Sequence, residues 1–218
     1  PVITAIADDA AMPFAGNSND DSWPANAVYD ASASNYRRLK MAATFVNKLQ
    51  ELKDPRIAIW ANKVQIPLVV DAALPKGTDK IENGKRYLSP DKVVGKDVNT
   101  NPDYVGLPTG LIGGASYNLS PTAEQAANNP HVSWLNDIYK QAKGPLLKSR
   151  MMSAAEVRFI LAEAALKGWS VTGDAKTHYD AGIKASMDTW GTTAAYASYM
   201  TQKGVAYDGT LKQIIEQK

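Results

Sequence analysis

The stretch from Ser153 to Gly191 constrains the fold more than any other part of the chain, because it reads as two helices folded back on each other. Ser153 precedes Glu156 at capping-box spacing, at which each side chain can take a free backbone N–H of the other. The following run, AEVRFILAEAAL, consists mostly of strong helix formers. Val157, Ile160, Leu161, Ala164 and Ala165 recur at helical spacing and predict one apolar face. Gly168 suits the C-terminal cap, since glycine enters the left-handed region at no steric cost. Asp174 then caps a second helix that runs through Trp190, with Gly191 as its stop. Ala175, Tyr179 and Gly182 set small, aromatic and small residues along it. That pattern lets the second helix of a tetratricopeptide-type hairpin admit its neighbour closely. Such a pair cannot bury both faces alone, so further helices must stack on it.

The rest of the chain is less regular. Asn35 to Lys53 predicts a helix with Leu39, Ala42, Ala43, Val46 and Leu49 on one face, ended by Asp54-Pro55. Residues 56–70 are rich in β-branched side chains and predict one or two short extended segments, with Pro67 keeping the second at a sheet edge. Asn83-Gly84 predicts a two-residue hairpin turn between Lys80-Ile81 and Arg86-Tyr87-Leu88. Residues 91–129 are dense in Gly, Pro, Asn, Ser and Thr, and a connection of that length is functional or poorly ordered. A short helix is expected around Trp134 and Tyr139. A last one begins at Thr210 with Leu211, Ile214 and Ile215 as its apolar positions. The fold class expected is mainly α, as a single domain over 1–218 with long irregular loops and a small β-hairpin. The start lacks Met and the final helix stops at Lys218, so a piece of a longer protein, cut at both ends, is expected.

Composition removes several function classes. A formal net charge of +2 argues against a nucleic-acid binder driven by phosphate neutralisation. No apolar run approaches the ~20 residues of a membrane span. With no cysteine, disulfides, thiolate metal sites and a cysteine nucleophile are excluded. The two histidines, His131 and His178, are far apart and match no zinc spacing. His178 reads as a surface or boundary residue. Gly113-Gly114-Ala115-Ser116 is not a nucleophile elbow, and Gly84-Lys85-Arg86 lacks the rest of a phosphate loop. Asn17 to Asp21 offers oxygen ligands without the spacing of a calcium loop and reads as a solvated turn. Glu156 and Glu163 share a helical face, but Glu156 is better explained as a cap. No metal, no cofactor and no enzymatic activity are expected.

What remains is aromatic. Five Trp and ten Tyr against three Phe favour rings that carry a polar handle. Tyr179, Trp190 and Trp169 sit at helical packing positions and read as core. Trp23, Trp60, Tyr104 and Tyr117 lie in or beside loops with Asn and Gly neighbours. Such rings can stack on the apolar face of a pyranose, or simply pin each loop to the body. These four are the candidate ligand-binding residues.

The run AEVRFILAEAALKGW, with the Tyr–Gly–Ile–Ser helix that follows and ends at Gly191, resembles the SusD-like (SusD/RagB) proteins of Bacteroidetes. Asp54-Pro55-Arg56 is similar to the family's DPR turn. Tyr104-Val105-Gly106-Leu107-Pro108-Thr109-Gly110 is similar to its Tyr-x-Gly-x-Pro-x-Gly loop. The motifs fall in the family's order. The resemblance implies an α-α superhelix of tetratricopeptide-type hairpins. It also implies a surface-exposed lipoprotein of the outer membrane, held by a lipid anchor absent from this chain. The partners implied are an oligosaccharide or polysaccharide and a SusC-like TonB-dependent transporter, and no nucleic acid. The alternative is a protein-interaction scaffold, or a peptide-binding lid on the transporter, without sugar specificity.

Overall fold

The computed structural model describes residues 3–28, 36–111, 114–120 and 128–218. Its α-helices are α1 Pro24–Val28, α2 Ala43–Glu51, α3 Ile57–Trp60, α4 Ala154–Leu166, α5 Ala175–Thr189, α6 Tyr196–Met200 and α7 Leu211–Gln217. Its strands are β1 Ala10–Pro13, β2 Leu68–Val70, β3 Asp79–Glu82, β4 Lys85–Leu88 and β5 Lys148–Met152. The architecture is mainly helical, with a tetratricopeptide-type hairpin, long irregular loops and small sheets. Among the described residues no helix is long and apolar enough to cross a membrane. The chain separates into two compact units.

The first unit gathers Pro1–Pro24, Glu51–Arg56 and Ala142–Lys218. Its centre is the hairpin α4–α5, and the expected caps form. Ser153 Oγ accepts from Glu156 N at 3.1 Å, and Asp174 Oδ1 accepts from Thr177 N at 2.7 Å. The other arm of the box is not made by Glu156; Asp9 Oδ1 instead takes the Ala154 N–H at 2.7 Å. Both helices end in Schellman turns. Trp169 N reaches Ala164 O at 3.0 Å past Gly168, and Thr192 N reaches Met187 O at 2.9 Å past Gly191.

The buried face of α4 differs from the one predicted. Phe159 and Ala162 are buried, with Ala155 and Leu166 packed alongside, whereas Ile160 is exposed and Val157 and Leu161 are half-buried. The helix is apolar nearly all round, so spacing alone selects no face. Gly182 on α5 sits where a Cβ would lie 3.0 Å from the Phe159 ring, which is why a small residue stands there. Phe159 meets Tyr179 edge-on at 5.9 Å. Ile183, Met187, Tyr199, Val205, Leu52 and Ile214 complete this core.

Two burial readings, Trp169 as core and His178 as surface or boundary, are corrected here. Trp169 is 66% exposed, because the Schellman turn at Gly168 carries the chain off the helix before Trp169 can pack. His178 is buried, and its Nε2 donates to Thr172 O at 2.7 Å. The Asp54-Pro55-Arg56 turn is also buried. Arg56 Nε donates to Asp54 Oδ1 at 2.9 Å, its Nη1 to Ser186 Oγ at 2.7 Å, and its guanidinium lies 5.6 Å from the Tyr199 ring. A ribbon of β1 against β5, antiparallel, was not expected from residues 1–34.

The second unit comprises Ala25–Gln50 and Ile57–Gln141. The hairpin at Asn83-Gly84 forms as predicted, with φ of 49° and 72°, between β3 and β4. Strand β2 pairs parallel to β4 and is an edge, as Pro67 requires. The extended reading of 56–70 holds only for β2, since Ile57–Trp60 is a helical turn. Helix α2 starts at Ala43, and the predicted start at Asn35 lies outside the described residues. The delay has a cause. Met41 N bonds Ser133 O, Leu107 N bonds Met41 O, and Ala43 N bonds Leu107 O, at 2.7–3.1 Å, so this segment is extended between two others. Around Tyr139 the expected helix is a short 3-10 turn, Asp137–Lys140, and Trp134 lies before it in an isolated bridge to Lys40.

Candidate functional site

The long loop is fastened at Gly106. A Cβ there would stand 2.3 Å from Ala43 Cα and 2.7 Å from Ala43 N, so only glycine lets residues 105–107 lie against the start of α2. Val105, Val64 and Val132 form a small buried cluster behind this contact, and Leu107 and Tyr117 pack on it.

Tyr117 is held by its backbone and by that of its neighbours. Asn118 and Leu119 both have left-handed φ, 56° and 62°. Asparagine tolerates this region; leucine does so only under constraint. Three buried polar side chains supply it. Asn129 Nδ2 donates to Tyr117 O at 2.7 Å. Asn118 Nδ2 donates to Asn99 O at 2.9 Å and to His131 O at 3.2 Å, while its Oδ1 accepts from Asn99 N at 2.8 Å. Arg86 Nη1 donates to Leu119 O.

Arg86 is itself fixed. Its Nε and Nη2 form a two-pronged pair with Asp79, each prong 2.7 Å. Its Nη1 also lies 3.3 Å from His131 Nε2, and His131 Nδ1 lies 2.6 Å from Ile66 O. The carbonyl requires a proton on Nδ1, and the guanidinium requires a lone pair on Nε2, so His131 is the neutral Nδ1–H tautomer. Burial, with Arg86 facing it, pushes its pKa below the usual histidine value. The hydrogen bonds from Arg86 hold the Asp79 carboxyl below its ordinary range. None of this network was flagged in the sequence, because its members are ordinary polar residues up to 52 positions apart (Asp79 to His131) with no motif spacing.

The result is a cleft of ≈ 440 Å³ with Tyr117 in its lining. Gly106 and Pro108 form part of the lining, and Asn47, Asp97, Asn99 and Thr100 supply polar groups. Burial pushes the Tyr117 hydroxyl pKa up, and Asp97 adds to the shift. A second cleft of ≈ 450 Å³, lined by Leu39, Met41, Leu107, Leu135, Arg38 and Lys40, offers no aromatic ring.

The other candidates are not among the residues that line this cleft. Trp60 and Tyr104 both pack on the cluster of Val46, Leu49, Ile57 and Ala61, and Trp60 also lies against Phe45 at 5.3 Å. Tyr104 is tied down through its carbonyl, which accepts from Gln50 Nε2 at 2.8 Å. Trp23, in the first unit, meets Phe14 edge-on at 5.6 Å, and its backbone N–H donates to Ala142 O at 2.7 Å. Asn17 to Asp21 is a tight turn in which Asp21 Oδ1 accepts from Asn17 N and Ser18 N. Among the described residues no group of three His, Cys, Asp or Glu side chains could hold a metal.

The profile of the SusD-like family described as "starch-binding associating with outer membrane" matches residues 85–218. The chain belongs to this family. A SusD homologue of Bacteroides fragilis is 22% identical, with a TM-score of 0.63 over all of this chain and 42% of its own. A second SusD homologue of the same species is 16% identical, with a TM-score of 0.61 over 99% of this chain and 42% of its own. A chitin-binding SusD homologue from Flavobacterium johnsoniae is 22% identical, with a TM-score of 0.55 over 92% and 30%. At these identities the likeness is one of fold. The chain spans about two fifths of the length of the first of these structures. No curated protein matches it by sequence.

Proposed function

We propose that this SusD-like chain is part of a glycan-binding component of an outer-membrane uptake system, acting with a SusC-like TonB-dependent transporter. In this reading the complete protein is a surface-exposed lipoprotein that binds its ligand without transforming it. The observation that carries it is the Tyr117 cleft. Half-buried Tyr117, its backbone set by Arg86, Asn118 and Asn129 and its side chain packed on Val64, Val105 and Val132, lines it beside Asn47, Asn99 and Thr100, which can bond sugar hydroxyls. A ring fixed before binding loses little entropy when a pyranose stacks on it. The chitin-binding relative is consistent with such a ligand. The packing of Trp23, Trp60 and Tyr104 suits them better to anchoring loops than to stacking.

The test is a glycan array on the complete protein followed by calorimetry on the hits. Tyr117→Ala is expected to weaken binding by at least about tenfold, the scale of an aromatic hot spot. Trp60→Ala is expected to lower stability more than affinity. Tight peptide binding with no oligosaccharide bound would overturn the sugar reading in favour of a peptide-binding lid.

A further inference from the structure

The charge around the cleft narrows the ligand class. From Asp97 to Tyr139 the sequence contains no Lys or Arg, although the chain carries 24. That segment supplies most of the cleft lining, including Asp97, Asn99, Thr100, Pro108 and Tyr117. Asp97 lines the cleft and makes no hydrogen bond or ion pair among the described residues. Nearby Asp103, in contrast, is neutralised by Lys63 at 2.8 Å. Asp97 is also the charged group that the Tyr117 hydroxyl feels. Among the described residues no Lys or Arg lines the cleft, so a uronate or sulfate seated at Tyr117 would meet the Asp97 carboxylate with no lining cation beside it. Like charges juxtaposed in a binding site oppose the wrong partner more than they aid the right one.

Resting on the glycan reading, we infer that the Tyr117 cleft takes uncharged glycans and rejects anionic ones, with Asp97 as the discriminating residue. Asn and Thr side chains serve hydroxyls and acetamido groups equally, so the cleft selects by charge before it selects by linkage. The repulsion acts across solvent and is screened: at ~0.1 M salt the Debye length is ~10 Å, and at ~1 M it is ~3 Å.

The experiment uses the complete protein with four neutral hexamers, maltohexaose, cellohexaose, chitohexaose and xylohexaose. C6-oxidised maltohexaose and cellohexaose give uronate counterparts of matched linkage and length. The uronate form is expected to bind weaker than its neutral parent by on the order of tenfold at low salt. The ratio should shrink towards one in ~1 M salt and in Asp97→Asn. Equal or tighter binding of the uronates overturns the inference and leaves the glycan reading standing. A ratio unchanged in Asp97→Asn overturns the assignment to that residue. No binding by any hexamer overturns the glycan reading, and this inference with it.

Discussion

Gly106 and Gly84 look alike in the sequence and differ in what they do. At Gly106 the added Cβ would meet backbone, 2.3 Å from Ala43 Cα, which cannot rotate away. At Gly84 nothing lies within 4 Å, and only the φ of 72° opposes a side chain. Gly106→Ala is therefore expected to cost about 3 kcal/mol, the upper end of overpacking. Gly84→Ala is expected to cost about 1 kcal/mol, the strain of a left-handed residue. Urea midpoints at unchanged slope would measure both, and equal costs would remove the close-approach explanation for Gly106. The sequence marks Gly106 through a family-like loop motif, but the reason for the glycine lies in a contact 63 positions away at Ala43. Tyr117 was legible as a loop aromatic. Arg86, Asn118 and Asn129, which set its position, were not, because each looks like an ordinary surface polar residue until the fold buries it.

At the scale of elements, the hairpin α4–α5 was legible because its ends are written locally. Ser153, Gly168, Asp174 and Gly191 each act within a few residues of themselves. Which face of α4 is buried was not legible, since apolar residues surround the helix and the choice is made by Phe159 fitting over Gly182. The same limit explains α2, whose first residues are drawn into bridges with Leu107 and Ser133, and Ile57–Trp60, whose β-branched composition yields to a helical turn. Two substitutions separate local from packing contributions. Ser153→Ala removes only the bond to Glu156 N and is expected to cost about 1 kcal/mol. Gly182→Ala gains about 1 kcal/mol of helix propensity but pushes on Phe159, whose ring is buried against Tyr179. An overpacking cost of about 1–3 kcal/mol should outweigh that gain, leaving the variant less stable. A stabilised Gly182→Ala protein would show that Phe159 can move aside.

At the scale of the whole molecule, the buried network around Arg86 makes stability depend on pH in two steps. His131 is neutral in the fold and its pKa is depressed, by burial first and then by Arg86. The unfolded chain, with a histidine pKa of ~6.5, therefore binds the proton more readily, and stability falls as pH drops below ~6.5 towards the depressed folded value. Asp79 behaves as a depressed carboxylate because Arg86 hydrogen-bonds its charged form. Its contribution is intact above the unfolded pKa of ~3.9 and is lost as pH falls through the lower folded value. Denaturation midpoints are thus expected to decline gently from pH 7 to 5 and steeply below pH ~4. His131→Asn retains a donor for Ile66 O without a titrating ring. It should flatten the first decline and leave the second, while lowering stability at pH 7 through the lost contact with Arg86. Because Arg86 also holds Leu119 O beside Tyr117, protonation of His131 within the folded protein, which its depressed pKa moves below the ordinary histidine range, should loosen the cleft. Oligosaccharide affinity should hold near neutral pH and fall only as pH drops through that depressed value in the native protein, and His131→Asn should lack this step. A parallel fall in both would place the pH sensitivity outside the Arg86 network.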